Sequence, residues 1–215
     1  CIRDSNALYT RNSTVEVPAT FNQPSSSGTD RYYSAFVGYS RLTTAIVHCP
    51  LEKLGESAFR ATPLSQIILK DDALKSTAVK SAAFRECTNL SSLDFLPSSV
   101  TTLGENAFYG CGFTSLDIPA HFTKVGIAAF SSCSNLEKIA IDGSIAITGK
   151  LPQYGPKSAE LFLYNPSLGQ TGDHVTNFAG DTNWAEHSWA NVHWGYKGSG
   201  DKFDATNYKY HKKTN

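Results

Sequence analysis

Cys87, Cys111 and Cys133 stand 24 and 22 residues apart, and three thiols invite a zinc site or a disulfide as the first chemistry to test. Structural zinc sites draw paired ligands from C-x₂₋₄-C spacings, so that two thiolates from one turn reach one ion. Here the spacing is long and nearly constant, which sets the thiols in a row rather than around a point. Parallel neighbouring side chains also have poor geometry for a disulfide. The favoured reading is an inert ladder of small, apolar, reduced cysteines without metal; zinc and disulfide remain the alternatives. With Cys1 and Cys49 the total is five, an odd number that rules out a complete disulfide framework within one chain.

A second cluster of metal-capable types is His174, His187 and His193 with Asp173, Asp181 and Glu186. No H-E-x-x-H or C-x-x-C spacing accompanies it, so surface or cap histidines are the expected account. The stretch 143–150 ends in Gly-Lys, but it has five residues between its glycines and no following Ser or Thr; it is no phosphate-binding loop. No G-x-S-x-G elbow occurs. The expectation is a protein that is not an enzyme and carries neither cofactor nor metal.

The cysteine period belongs to a longer repeat. Ala-Phe recurs with its phenylalanines at Phe36, Phe59, Phe84, Phe108 and Phe130, in steps of 23, 25, 24 and 22 residues. Each of the three thiols lies three residues after one of them. Gly55, Gly104 and Gly126 lie four residues before. Between these anchors runs an apolar-x-apolar pair: Ala45 and Val47, Ile67 and Leu69, Leu93 and Phe95, Leu116 and Ile118, Ile139 and Ile141. Period-two alternation marks a short strand with one buried face. The Gly-x-x-Ala-Phe stretch is too short for an independent helix and suits a docked helical turn. Neither piece can bury its apolar face alone. Copies stacked about 4.8 Å apart pair their strands in one parallel sheet, with Val47, Leu69, Phe95, Ile118, Ile141 and Leu163 expected as one inward ladder.

This spelling resembles the BspA-like leucine-rich repeats, with their Leu-x-x-Ile-x-Ile-Pro strand and Ile-Gly-x-x-Ala-Phe-x-x-Cys turn. The best copy is Leu116-Asp117-Ile118-Pro119 followed by Val125-Gly126-Ile127-Ala128-Ala129-Phe130-Ser131-Ser132-Cys133. The resemblance covers about residues 31 to 145. It implies an α/β repeat fold: a right-handed solenoid, a parallel sheet on the concave face and short helical turns on the convex side. It further implies a secreted or surface-attached protein that binds proteins of host or neighbouring cells.

Outside that stretch, Glu160–Tyr164 keeps the strand period, Val192 and Trp194 suit a final strand, and Val15–Pro18 a degenerate first one. Expected divisions are an N-terminal cap at 1–30, repeats at 31–165 and an aromatic-rich cap at 166–215. That last section holds Trp184, Trp189, Trp194, Tyr196, Tyr208 and Tyr210. Closing the open core end is its expected role; the alternative is a platform of Trp184, Trp189, Trp194 and Tyr196 for stacking on sugars.

Bulk properties narrow the partners. The 215 residues carry 19 basic and 19 acidic side chains, without the basic footprint a nucleic-acid binder needs. No run approaches the roughly 20 apolar residues of a membrane span. Cys1 leads a chain without methionine, which reads as a processed or excised piece; Cys1 is then a lipid-bearing lipoprotein terminus or a mere boundary. Sequons occur at Asn12 and Asn89 and support secretion only weakly. What remains is the surface. Alternation turns Ile46, Ile68, Asp94, Asp117, Lys138, Phe162 and Tyr164 to the concave face, where exposed apolar groups mark contact sites; the alternative is that a terminal loop or a dimer partner covers them. The functions carried forward are a protein-binding or adhesion module, a glycan binder using the C-terminal aromatics, and a structural subunit of an extracellular assembly.

Overall fold

The computed structural model describes residues 13–19, 35–118, 121–141, 146–147, 158–163, 175–176, 183–184, 187–188 and 190–194. Expectations placed on Cys1, Asn12, Tyr164, Asp173, His174, Asp181, Glu186, Trp189, Tyr196, Tyr208 and Tyr210, and on most of 143–150, lie outside them.

In chain order the strands are β1 (Thr14–Val17), β2 (Thr44–Val47), β3 (Gln66–Leu69), β4 (Ala78–Val79), β5 (Thr102–Leu103), β6 (Ser115–Ile118), β7 (Lys124–Val125), β8 (Lys138–Ile141), β9 (Ala146–Ile147), β10 (Glu160–Leu163), β11 (Val175–Thr176), β12 (Asn183–Trp184), β13 (His187–Ser188) and β14 (Asn191–Trp194). The four-residue strands stack in parallel, each coil on the next. Val17, Val47 and Leu69 align across β1, β2 and β3, and Ile118, Ile141 and Leu163 across β6, β8 and β10. The terminal strands expected at Val15–Val17 and Val192–Trp194 both join these parallel arrays. The chain is thus a solenoid of stacked coils around a single interior cluster running from Val17 to Leu161.

Two expectations are revised. The strand ladder is not continuous: it falls into the sheets β1-β2-β3 and β11-β14-β10-β8-β6, and Leu93–Phe95 forms no strand between them. Local bonds capture the groups a ladder would use. The Ser92 hydroxyl accepts the Asp94 N–H at 2.9 Å, and the Leu96 N–H donates to Leu93, whereas the equivalent Lys70 N–H donates across to Val47. Such short-range competition for backbone groups is what serine and aspartate bring to a chain. Phe95 still packs on the core, edge-on to Phe84 and Phe108 at 5.5 and 6.4 Å.

The Ala-Phe stretches are not helical turns either. From Phe59 to Phe130, each is a hydrogen-bonded turn bracketed by left-handed residues two before and two after the phenylalanine, as at Ser57 and Ala61, Ala82 and Glu86, or Asn106 and Gly110. This alternation aims N–H groups along the stacking axis, where an α-helix would turn them back on itself. Phe59 donates to Ala83, Phe84 to Ala107 and Phe108 to Ala129, all at 2.9 Å. A third ladder was not foreseen: the two-residue strands β4, β5, β7 and β9 pair in parallel, the first three just ahead of the Phe84, Phe108 and Phe130 turns. The helices among the described residues are α1 (Leu51–Leu54) and a 3₁₀ segment at Asp71–Lys75, both in the connections after the early strands.

Glu52 in α1 fastens one such connection to the next coil. Its carboxylate Oε1 accepts from the Thr77 N–H, the Thr77 hydroxyl and the Ala78 N–H at 2.5, 2.6 and 2.7 Å. Burial pushes its carboxyl up, but the bonds from Thr77 and Ala78 outweigh this and hold it below its ordinary value of 4.5. A carboxyl so depressed contributes stability above the unfolded pKa and loses it as pH falls through the folded one. Glu52→Ala should cost about 1–3 kcal/mol by stranding two backbone donors. Glu52→Gln should flatten the acid limb of a urea-midpoint profile below pH 4.5; an unchanged limb would show that this staple does not carry it.

Candidate functional site: the outer face of the strand ladder

In a parallel array, aligned residues share a face, so each paired strand presents a central outward residue. Glu16, Ile46 and Ile68 form the first column; Asp117, Ala140 and Phe162 form the second. Asp94 is exposed in the irregular coil between them. Ile46, Ile68, Asp117 and Lys138 are half-buried; Ile46 pairs in register with Ile68 in one sheet, while Asp117 and Lys138 stand on the adjacent strands β6 and β8 of the other. Phe162 is a correction. Alternation puts it on the outer face, yet it is only 1% exposed, with Ala140 fully buried beside it. Neither belongs to the interior cluster; the sheet is covered on both faces at this end, and Phe162 leaves the contact set. Alternation assigns a face but is silent about what lies over it.

Trp194 aligns with Leu163 in the column of Ile118 and Ile141, while Trp184 pairs with His187 in a separate antiparallel hairpin. Trp189 and Tyr196, the other two residues of the sugar-stacking alternative, lie outside the described residues. Asn89 is exposed, its amide donating to the Pro63 carbonyl at 3.3 Å.

The thiols form the expected row and are buried and free, but they are more than filler. Cys87 donates to the Phe59 carbonyl, Cys111 to Phe84 and Cys133 to Phe108, at 3.2, 3.1 and 3.5 Å, each reaching back one coil. Thr62 heads the row, its hydroxyl donating to the same Phe59 carbonyl at 2.8 Å. Burial pushes the Cys87 thiol up to about 11, that of Cys133 to about 12, and Cys111 well above its ordinary value. Since the thiolate is the nucleophile, all three should resist a thiol reagent at pH 8 until the protein unfolds. Rapid native-state modification would contradict this burial. Among the described residues, no group of three His, Cys, Asp or Glu side chains is placed to hold a metal ion.

Sequence reasoning missed a cluster at the rim of the first column. His48 directs Nδ1 at Asp71 Oδ2 (2.8 Å) and Nε2 at Glu16 Oε1 (2.9 Å). Glu16 lies 32 positions before the histidine, so only the stacking of β1 on β2 brings them together.

A parallel solenoid of coils repeating every 22–25 residues, built from short strands with inward apolar pairs and from Ala-Phe turns, is a leucine-rich-repeat protein. The chain belongs to the family of the BspA type leucine rich repeat region, whose model matches six copies over residues 19–76 and 52–151. A leucine-rich repeat protein from Bacteroides ovatus, known from its crystal structure, is similar over 70% of this chain at 24% identity, with a TM-score of 0.43. This chain spans 47% of that one, about half its length. No curated protein matches the sequence. No helix among the described residues is long and apolar enough to cross a membrane.

Proposed function

We propose that this chain is a protein-binding, adhesive module of an extracellular or cell-surface protein, and that it makes contact through the outer, concave face of its strand ladder. The observation that carries the reading is the direct alignment of Ile46 with Ile68. These two large apolar side chains are half-buried on the outer face, while their neighbours Ala45, Val47, Ile67 and Leu69 are buried in the core. Adjacent apolar groups on a rigid support, with Asp94 exposed beyond them, suit a partner that buries an apolar anchor. Family membership supports the same reading, since a solenoid lets outward residues vary without disturbing the inward ladders. The reading is non-enzymatic and assigns no cofactor. Its partners are proteins of host or neighbouring cells or of the extracellular matrix.

The test is capture of purified candidate surface proteins by wild type and by the double variant Ile46→Asp/Ile68→Asp. Capture should fall at least about tenfold, the equivalent of 1.4 kcal/mol, with the melting temperature nearly unchanged. Undiminished capture by the folded variant would move the site off this face. A glycan array separates the sugar-binding alternative, because the protein-binding reading expects no sugar affinity.

A further inference from the structure

We propose that His48 is a protonation-controlled clasp that fastens the terminal strand β1 to the second and third coils. Its ring lies between Glu16 on β1 and Asp71 just after β3, at 2.9 and 2.8 Å. Ionised carboxylates only accept hydrogen bonds, whereas a neutral imidazole has one donor nitrogen and one lone pair. Both contacts are satisfied together only when both nitrogens carry protons, so the geometry selects the imidazolium. On deprotonation one proton leaves to solvent, one bond persists, and a ring lone pair faces the other carboxylate.

The surrounding charges leave this arrangement in control. From the first coil the facing group is Glu16. From the third coil it is Asp71, with the exposed Lys70 beside it and Asp72 engaged by Lys75 at 3.0 Å. The hydrogen bond to Asp71 does most to raise the histidine above its ordinary 6.5; desolvation opposes this and the bond to Glu16 adds to it. The sign follows: a raised pKa gives stability that is complete below 6.5 and is lost as pH rises through the folded value. What is held is the edge of the sheet. β1 ends the three-stranded array, and its backbone bonds to β2 include Thr44 to Ser13 and His48 to Val17, both at 2.9 Å. Loosening β1 lays open the edge of β2, a template for another strand.

The experiment is amide hydrogen exchange on the intact chain at about pH 5.5 and 8.5, corrected for intrinsic rates, together with an NMR titration of His48 around its reference value. Protection of the Thr44 and His48 amides should fall about threefold at the higher pH, as expected for an exposed ion pair, relative to Gly104 and Phe108. In His48→Gln the difference should vanish. The wild-type titration midpoint should lie above 6.5 and drop in Asp71→Asn. A midpoint at or below 6.5, pH-independent protection, or the same pH dependence in His48→Gln would each overturn the clasp.

Discussion

Phe108→Ala should destabilise the protein by about 3–5 kcal/mol, the range for emptying a buried phenylalanine site. The ring is fully buried and lies face to face with Phe84 at 5.3 Å and Phe130 at 5.7 Å. Phe113 and Phe95 meet it edge-on at 5.9 and 6.4 Å. Removing it breaks the aromatic column in mid-stack, where no rearrangement of one coil can fill the space without disturbing two others. Denaturant unfolding measures the cost. A change within about 0.5 kcal/mol for Phe108→Ala would show that the Ala-Phe pair is not core, well below what such cavities cost.

Gly112→Ala should cost about 3 kcal/mol, at the upper end for forcing atoms into a packed site. A Cβ there would lie 2.2 Å from the Thr88 carbonyl oxygen, which is backbone of the coil beneath and cannot swing aside. The Gly112 N–H also donates to Leu90 at 2.9 Å, so moving the chain away breaks an inter-coil bond. Gly38→Ala is the contrast: nothing lies within 4 Å of its added Cβ, but its φ is +71°, so the penalty should be about 1 kcal/mol of left-handed strain alone. Near-wild-type stability of Gly112→Ala in urea would mean that the coils are not packed backbone against backbone.

The repeat glycines show how far pattern reaches. Gly104 and Gly126 were legible as a spacing, and the structure gives the cause: their Cβ atoms would approach the backbone of the preceding coil to 2.6 and 2.7 Å. The cysteines were legible as a buried row, yet their hydrogen bonds to the previous coil's phenylalanine carbonyls depend on a stacking offset that spacing leaves open. Of the outer-face candidates, the Ile46–Ile68 pair was legible from alternation. Phe162 was misplaced on solvent because covering is a property of the whole chain. The His48 clasp was invisible, since its three members come from three coils.

The sequence by itself determined the coil: its length, its inward apolar pair, its Ala-Phe anchor and its stacking in parallel. All of these are local periodicities tied to what one coil must bury. Only the tertiary structure decided where the ladder breaks. Ser-Leu-Asp is a strand at Ser115–Asp117 and a turn-forming stretch at Ser92–Asp94, identical residues with different backbones. At the first, β8 lies alongside in parallel register and pairs with those groups; at the second, the serine hydroxyl and the Leu93–Leu96 turn take them first. A tripeptide supplies the donors and acceptors, and the neighbouring coils decide which of them pair.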